Sequence, residues 1–123
     1  MKKYLSLIIL ILTTHIYAQN LEPEGYWDIQ NISNPKVSPN GEKVLFTKRY
    51  IDKINDSFVT EIWLMDVDGD NKRLFTDGSN AKWSPDGEKV VFTKADDNDK
   101  SQLFLKFMLN DIETKITHSD KPI

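Results

Sequence analysis

The sequence predicts an all-β protein built from two copies of one four-stranded unit. A thirteen-residue segment occurs twice, and each copy leads into runs rich in Val, Phe and Thr. Helical periodicity is absent after the N-terminal segment, apart from one turn at Glu24–Gln30. The 123 residues carry a formal charge of −3 and no cysteine, which excludes a disulfide scaffold, a thiolate metal site and a cysteine nucleophile. The mixed, mildly acidic charge argues against nucleic-acid binding.

The first eighteen residues have the composition of a secretory signal peptide. Lys2 and Lys3 precede an apolar run at residues 5–12, and Ala18 supplies a small residue before a cleavage site. The apolar run is shorter than the roughly 18–20 residues that span a bilayer, so no stable membrane anchor is expected after cleavage. The mature chain is therefore expected to be periplasmic or secreted, with residues 19–34 leading into the first repeated unit.

The repeated segment covers Lys36–Lys48 and Lys82–Lys94, and ten of its thirteen positions are identical. Each copy contains Ser-Pro-Asn/Asp-Gly, in which proline presets φ and glycine accepts the positive φ that closes a hairpin. The hydroxyls of Ser38 and Ser84 can bond back to the turn amides. The pattern predicts a tight turn that leads into a strand in each copy.

Three strands are predicted after the start of each repeat. Their residues are apolar or β-branched on both faces, which favours a neighbouring layer on each side. In the first of them, Val44 and Phe46 alternate with Leu45 and Thr47. The predicted strands are Lys43–Lys48, Glu61–Val67 and Arg73–Thr76 in the first unit, and Lys89–Lys94, Gln102–Leu109 and a run ending at 115–117 in the second.

Four-stranded sheets that repeat after about forty residues and are apolar on both faces are typical of β-propeller blades. The Ser-Pro-Asp-Gly hairpin with its following strand resembles the WD-like repeat of bacterial propellers. The segment Leu21–Trp27, the run Ile32–Gly41 and the long insert Arg49–Thr60 are similar to the start of the propeller in prolyl oligopeptidase family serine peptidases, in the branch with dipeptidyl and acylaminoacyl peptidases. The predicted blades are residues 35–80 and 81–119, and residues 120–123 begin a truncated third blade.

This resemblance implies a secreted or periplasmic serine peptidase whose propeller gates the access of peptides to an α/β-hydrolase domain. The implied partners are further blades and that hydrolase domain in the same polypeptide, together with a peptide substrate. Two blades leave two apolar faces uncovered, so the chain is expected to be the N-terminal piece of a longer protein. The alternative is part of a non-enzymatic TolB-like periplasmic propeller that binds protein partners, because one fold serves both functions.

No catalytic, cofactor-binding or metal-binding residue is predicted in the chain, and no cofactor is expected. The sequence contains no Gly-x-Ser-x-Gly, so none of the family's catalytic residues is carried over. His15 lies in the predicted signal peptide, and His118 is interpreted as a solvated turn residue. The acidic run Asp66–Asp70 lacks the glycine and glutamate spacing of a calcium loop and is interpreted as a hairpin turn. The run Asp96–Lys100 is interpreted as a solvated loop.

Aromatic residues on the predicted strands are expected to pack within the blades rather than to stack on a ligand. They are Trp63, Trp83 and Phe104. Trp27 precedes the first blade, where it could seal the propeller or face another domain.

Overall fold

Two four-stranded antiparallel sheets make up the structure, a computed structural model that describes residues 30–121. Each sheet is a meander in which every strand pairs with the next, so the predicted architecture of two four-stranded antiparallel sheets is confirmed. Residues 30–121 contain no helix long and apolar enough to span a bilayer. The first sheet is β1 (Asn31–Val37), β2 (Lys43–Asp52), β3 (Ser57–Asp66) and β4 (Arg73–Asp77), and the second is β5 (Ser79–Trp83), β6 (Lys89–Ala95), β7 (Ser101–Phe107) and β8 (Glu113–Lys115).

The repeated turns have the predicted geometry. In the first copy, the amide of Gly41 donates to the carbonyl of Ser38 at 2.9 Å, and the φ of Gly41 is +76°. The Ser38 hydroxyl accepts a 2.9 Å hydrogen bond from the amide of Lys43. The second copy repeats this bond between Ser84 and the amide of Lys89 at 3.0 Å. The turn therefore fixes the starting point of β2 and of β6 by local bonds alone.

The predicted insert Arg49–Thr60 is not a separate loop but an extension of the β2–β3 hairpin. The ladder between the two strands continues to the pair of Asp52 and Ser57, so β3 begins four residues before the predicted start at Glu61. The carboxylate of Asp52 accepts the amide of Ile54 at 2.9 Å and closes the turn at the tip. Strand-forming residues on both arms make this continuation favourable.

The repeat begins earlier in the structure than the sequence comparison indicated. A shift in strand register occurs within residues 33–36 of the first sheet and again within residues 79–82 of the second. At each shift an asparagine has positive φ, +52° at Asn34 and +56° at Asn80, a conformation that asparagine tolerates better than most residues. The sequence Ser-Asn-x-Lys occurs at both places. It is the sequence feature from which this shared bulge could have been predicted.

The hydrophobic core lies between the two sheets. The ring of Phe92 lies 6.5 Å from Phe75 in an edge-on arrangement and 6.0 Å from Phe104 in a stacked one. The predicted alternation along β2 is correct, since Leu45 and Val44 lie on opposite faces and only Leu45 joins this core. The buried residues of the core are Leu45, Ile62, Leu64 and Phe75 from the first sheet and Ala81, Val90 and Phe92 from the second.

Candidate interaction surfaces of the two sheets

A cluster of charged side chains joins the two sheets at the edge of the core. The ammonium of Lys94 on β6 lies 2.8 Å from a carboxylate oxygen of Asp77 on β4 and 2.9 Å from one of Glu113 on β8. The hydroxyl of Thr76 donates to Glu113 at 2.9 Å, and the Lys94 ammonium lies 5.6 Å from the centre of the Phe104 ring. One lysine therefore bridges carboxylates of both sheets.

Two further hydrogen bonds cross from the second sheet to the backbone of the first. The Lys106 ammonium donates to the carbonyl of Phe75 at 2.5 Å, and the indole nitrogen of Trp83 donates to the carbonyl of Lys36 at 2.9 Å. Each bond joins a side chain of the second sheet to a backbone carbonyl of the first. The two bonds therefore help to fix the position of one sheet relative to the other.

The charges of the central ion pair reinforce each other. Partial burial opposes the ionisation of Asp77, but the hydrogen bond and positive charge of Lys94 outweigh it and hold the pKa of the carboxyl below its usual range. Burial likewise opposes the charge of Lys94, but Asp77 and Glu113 outweigh it and raise the pKa of the ammonium. Both groups are therefore charged at neutral pH.

The face of the first sheet that points away from the core forms an apolar groove of about 340 Å³. The ammonium of Lys48 lies 4.7 Å from the Trp63 ring and 5.3 Å from the Tyr50 ring at its rim. The side chain of Ile32 is 64% exposed there. The groove is lined by Gln30, Ile32, Pro35, Val44, Phe46, Lys48, Trp63, Met65 and Lys72.

The face of the second sheet that points away from the core is also apolar. Val91 and Leu105 are opposite each other across β6 and β7, and both are half-buried. Leu103 and Phe107 lie on the same face by strand alternation. The described residues thus form a pair of sheets with one shared core and one outward-facing apolar face on each side. On the first sheet, Val44 and Phe46 at the floor of this face are buried, whereas Ile32 at its edge is exposed.

The predicted acidic turns are stabilised by their own carboxylates. Hydrogen bonds from Lys43 and Asn71 lower the pKa of Asp66, which closes the hairpin between β3 and β4 as predicted. In the run Asp96–Lys100, the carboxylate of Asp96 accepts the amides of Asn98 and Lys100, which lowers its pKa. Both runs serve the turns between strands.

The other residues singled out in the sequence occupy different surroundings. His118 follows β8 and is exposed, as predicted. Trp83 and Phe104 pack against the core, whereas Trp63 lines the outer groove of the first sheet. His15 and Trp27 lie outside the described residues. The absence of catalytic residues from the chain stays a prediction.

The ion cluster around Lys94 and the ring contacts of Lys48 with Tyr50 and Trp63 were not predicted from the sequence. The available signal was the repeat itself, in which Lys48 and Lys94 occupy the same final position on the same strand face. The acidic partners could not be found in this way, because Asp77 lies on a different sheet from Lys94 and Glu113 stands outside the repeated segment.

Solved structures similar to this chain are propeller proteins. An acylaminoacyl peptidase in complex with Z-Gly-Gly-Phe-chloromethyl ketone superimposes with a TM-score of 0.67 over 77% of the chain, at 15% identity. The β-propeller domain of the Trilobed protease from Pyrococcus furiosus, described as having an open velcro topology, gives 0.65 over 75% at 19% identity. TolB from Acinetobacter baumannii gives 0.55 over 72% at 19% identity.

The chain spans only part of each of these proteins. It covers 15% of the acylaminoacyl peptidase, 28% of the Trilobed protease propeller and 22% of TolB. No known family model matches the chain, and no curated protein matches it. The similarity therefore defines the fold: the two sheets are blades of a β-propeller, as predicted.

Proposed function

We propose that the chain forms the first two blades of the propeller of a secreted or periplasmic serine peptidase. The observation that supports this most strongly is the superposition on acylaminoacyl peptidase over 77% of the chain. The similarity of Leu21–Trp27 and of the first-blade hairpin to the start of such propellers points in the same direction. An α/β-hydrolase domain further along the polypeptide would supply the serine, acid and histidine for acyl transfer.

In this proposal the two blades take no part in bond cleavage. They form part of a rigid wall that limits the hydrolase domain to substrates narrow enough to pass, such as peptides. The shared core and the bridge from Lys94 to Asp77 suit this role, since they hold the blades in a fixed relative position. The signal peptide at residues 1–18 would direct the chain out of the cytoplasm.

A non-enzymatic propeller that resembles TolB is the second candidate. The superposition on Acinetobacter baumannii TolB supports it, at a lower TM-score of 0.55. A propeller of this kind would bind protein partners through its loops, because the same blades can serve either function.

A fluorophosphonate probe applied to the natural, full-length secreted polypeptide tests the proposal. We expect covalent labelling of one serine in a Gly-x-Ser-x-Gly segment beyond residue 123, and no labelling after that serine is replaced by alanine. Sequencing of the N-terminus should give Gln19 as the first residue. A polypeptide that ends after its last blade and takes up no probe would contradict the peptidase and favour the TolB-like binder.

A further inference from the structure

The outer face of the first blade repeats the face through which the second blade packs. Phe46 on β2 is paired with Trp63 on β3, and Phe92 on β6 is paired with Phe104 on β7 in the same way. Phe92 is completely buried between the blades. The outer face of the first blade therefore has the residues of a face that packs against another blade, and not those of a face exposed to solvent.

Lys48 and Lys94 occupy the same position on these two faces. Lys94 lies over Phe104 and pairs with Asp77 from the fourth strand of the neighbouring blade. Lys48 lies over Trp63, and among residues 30–121 no carboxylate lies within ion-pair distance of its ammonium. Glu61, the residue directly opposite Lys48, instead accepts hydrogen bonds from the side chains of Tyr50 and Trp63.

The rim of the groove carries a second cation where the other blade has an acid. Lys72 in the first blade takes the place of Glu113 in the second, by the register of the third and fourth strands. Within the second blade, Glu113 pairs with Lys94. The first blade has no acid at this position of its fourth strand, and the carboxylate of Glu61 on the same face is engaged by Tyr50 and Trp63. The groove is bordered by Lys48 and Lys72. Charge complementarity therefore favours a neighbour that supplies a carboxylate.

Within residues 30–121, the outer face of the second blade offers no carboxylate at the matching position, so a second copy of this chain is not the favoured neighbour. The uncovered face of the second blade is the one that would meet the groove in a head-to-tail arrangement. After its fourth strand, His118 stands where the first blade has Asp77. Lys82 and Lys89 lie on the outer face of the second blade, where they are the cross-strand partners of Val91 and Phe107. A second copy would therefore bring cations toward Lys48.

We propose that the groove is covered by a further blade of the same polypeptide, and that a carboxylate at the end of the fourth strand of this blade pairs with Lys48. The apolar part of the contact would repeat the packing of Leu64 and Phe75 against the second blade. This inference rests on the further blades of the proposed function and not on peptidase activity. It holds equally for a binding propeller.

Zero-length carbodiimide cross-linking of the natural, full-length polypeptide, followed by mass spectrometry of the peptides, tests the inference. The Lys94–Asp77 pair is the internal control, since its atoms are 2.8 Å apart. We expect an intramolecular link from Lys48 to an Asp or Glu beyond residue 123, at a yield similar to that of the control. A Lys94–Asp77 link without a Lys48 link, or a link from Lys48 to a second molecule, would overturn the proposal.

Lysine-to-methionine variants of the full-length polypeptide provide a second measurement. Methionine keeps the contact with the aromatic ring but removes the charge, so Lys48→Met and Lys94→Met should lower the thermal midpoint by similar amounts. Lys72→Met is the matched control at the same rim and should lower it by less than half as much. An unchanged midpoint for Lys48→Met beside a lowered one for Lys94→Met would contradict the ion pair.

The two proposals fail in different experiments. Fluorophosphonate labelling without a cross-link from Lys48 would refute this inference alone. A cross-link from Lys48 without fluorophosphonate labelling would refute the peptidase alone.

Discussion

Gly78 connects the two blades in a backbone conformation that side chains rarely allow. Its φ is +127°, and a Cβ at this position would lie 2.4 Å from the carbonyl oxygen of Thr93. The amide of Gly78 also donates to the carbonyl of Thr60 at 3.1 Å, which holds the connection against β3. The direct passage from β4 into β5 therefore requires a glycine both for conformation and for space.

We expect Gly78→Ala to lower the free energy of unfolding by more than about 1 kcal/mol, because it adds backbone strain to a clash with backbone. Chemical denaturation followed by circular dichroism measures the change. Gly69→Ala is the matched control, since the φ of Gly69 is +93° but no atom lies within 4 Å of the added Cβ. Equal losses in the two variants would show that the close approach to Thr93 is unimportant.

The ion pair between Asp77 and Lys94 makes stability depend on pH. Because the pKa of Asp77 is lowered in the folded chain, its contribution is fully present above the unfolded value of about 4 and is lost as the pH falls through the folded value. We expect Asp77→Asn to reduce the fall in thermal midpoint between about pH 5 and pH 2.

Asp97→Asn is the control for this prediction. Asp97 lies exposed in the turn between β6 and β7. The midpoint of this variant should follow that of the unaltered chain across the same range. A pH profile of Asp77→Asn identical to the unaltered one would exclude a role for the pair.

At the scale of the strand, the repeat offers two phenylalanines in the same position of equivalent elements. Phe92 of β6 is enclosed between the blades by Phe75 and Phe104. Phe46 of β2 lies on the outer face, where it borders the groove of the first blade. The same local sequence therefore has two different environments.

We expect Phe92→Ala to cost about 3–5 kcal/mol of stability, because it leaves a cavity inside the core. Phe46 is itself buried, at 6% exposure, but it borders the groove, so Phe46→Ala in the 123-residue chain should open onto the groove instead of leaving an enclosed cavity, and should cost less. Equilibrium denaturation of both variants measures the difference. A larger loss for Phe46→Ala would mean that the outer face is more tightly packed than the structure describes.

At the scale of the whole molecule, the uncovered apolar faces should be detectable. Exposed large apolar residues at or near the groove include Ile32 and Val37, at 64% and 57%. We expect the 123-residue chain to bind a dye such as anilinonaphthalene sulfonate strongly, because the dye inserts into exposed apolar surface. The full-length polypeptide should bind it much more weakly per molecule.

Lys48→Glu in the 123-residue chain provides the control for dye binding. It places a negative charge at the rim of the groove and should repel the anionic dye, whereas Lys121→Glu should not. Fluorescence titration measures both. Weak binding by the unaltered chain would show that the two faces are covered by other means.

Local sequence determined the repeating units of this fold. Ser-Pro-Asn/Asp-Gly fixed the turns, because the hydrogen bonds that close them join residues at most five positions apart. Alternation along β2 likewise separated Leu45 from Val44 onto opposite faces. The sequence also identified the acidic run at Asp66 as a turn.

The contacts between the blades were decided by tertiary structure alone. The ion pair of Lys94 with Asp77, the bond from Trp83 to Lys36 and the positive φ of Gly78 depend on how one sheet lies against the next. A repeat predicts that its two copies are alike, yet Phe46 faces a groove and Phe92 lies in a core. The physical reason is that the side-chain pattern of a strand shows that a face can be covered, whereas the element that packs against that face is decided by tertiary structure.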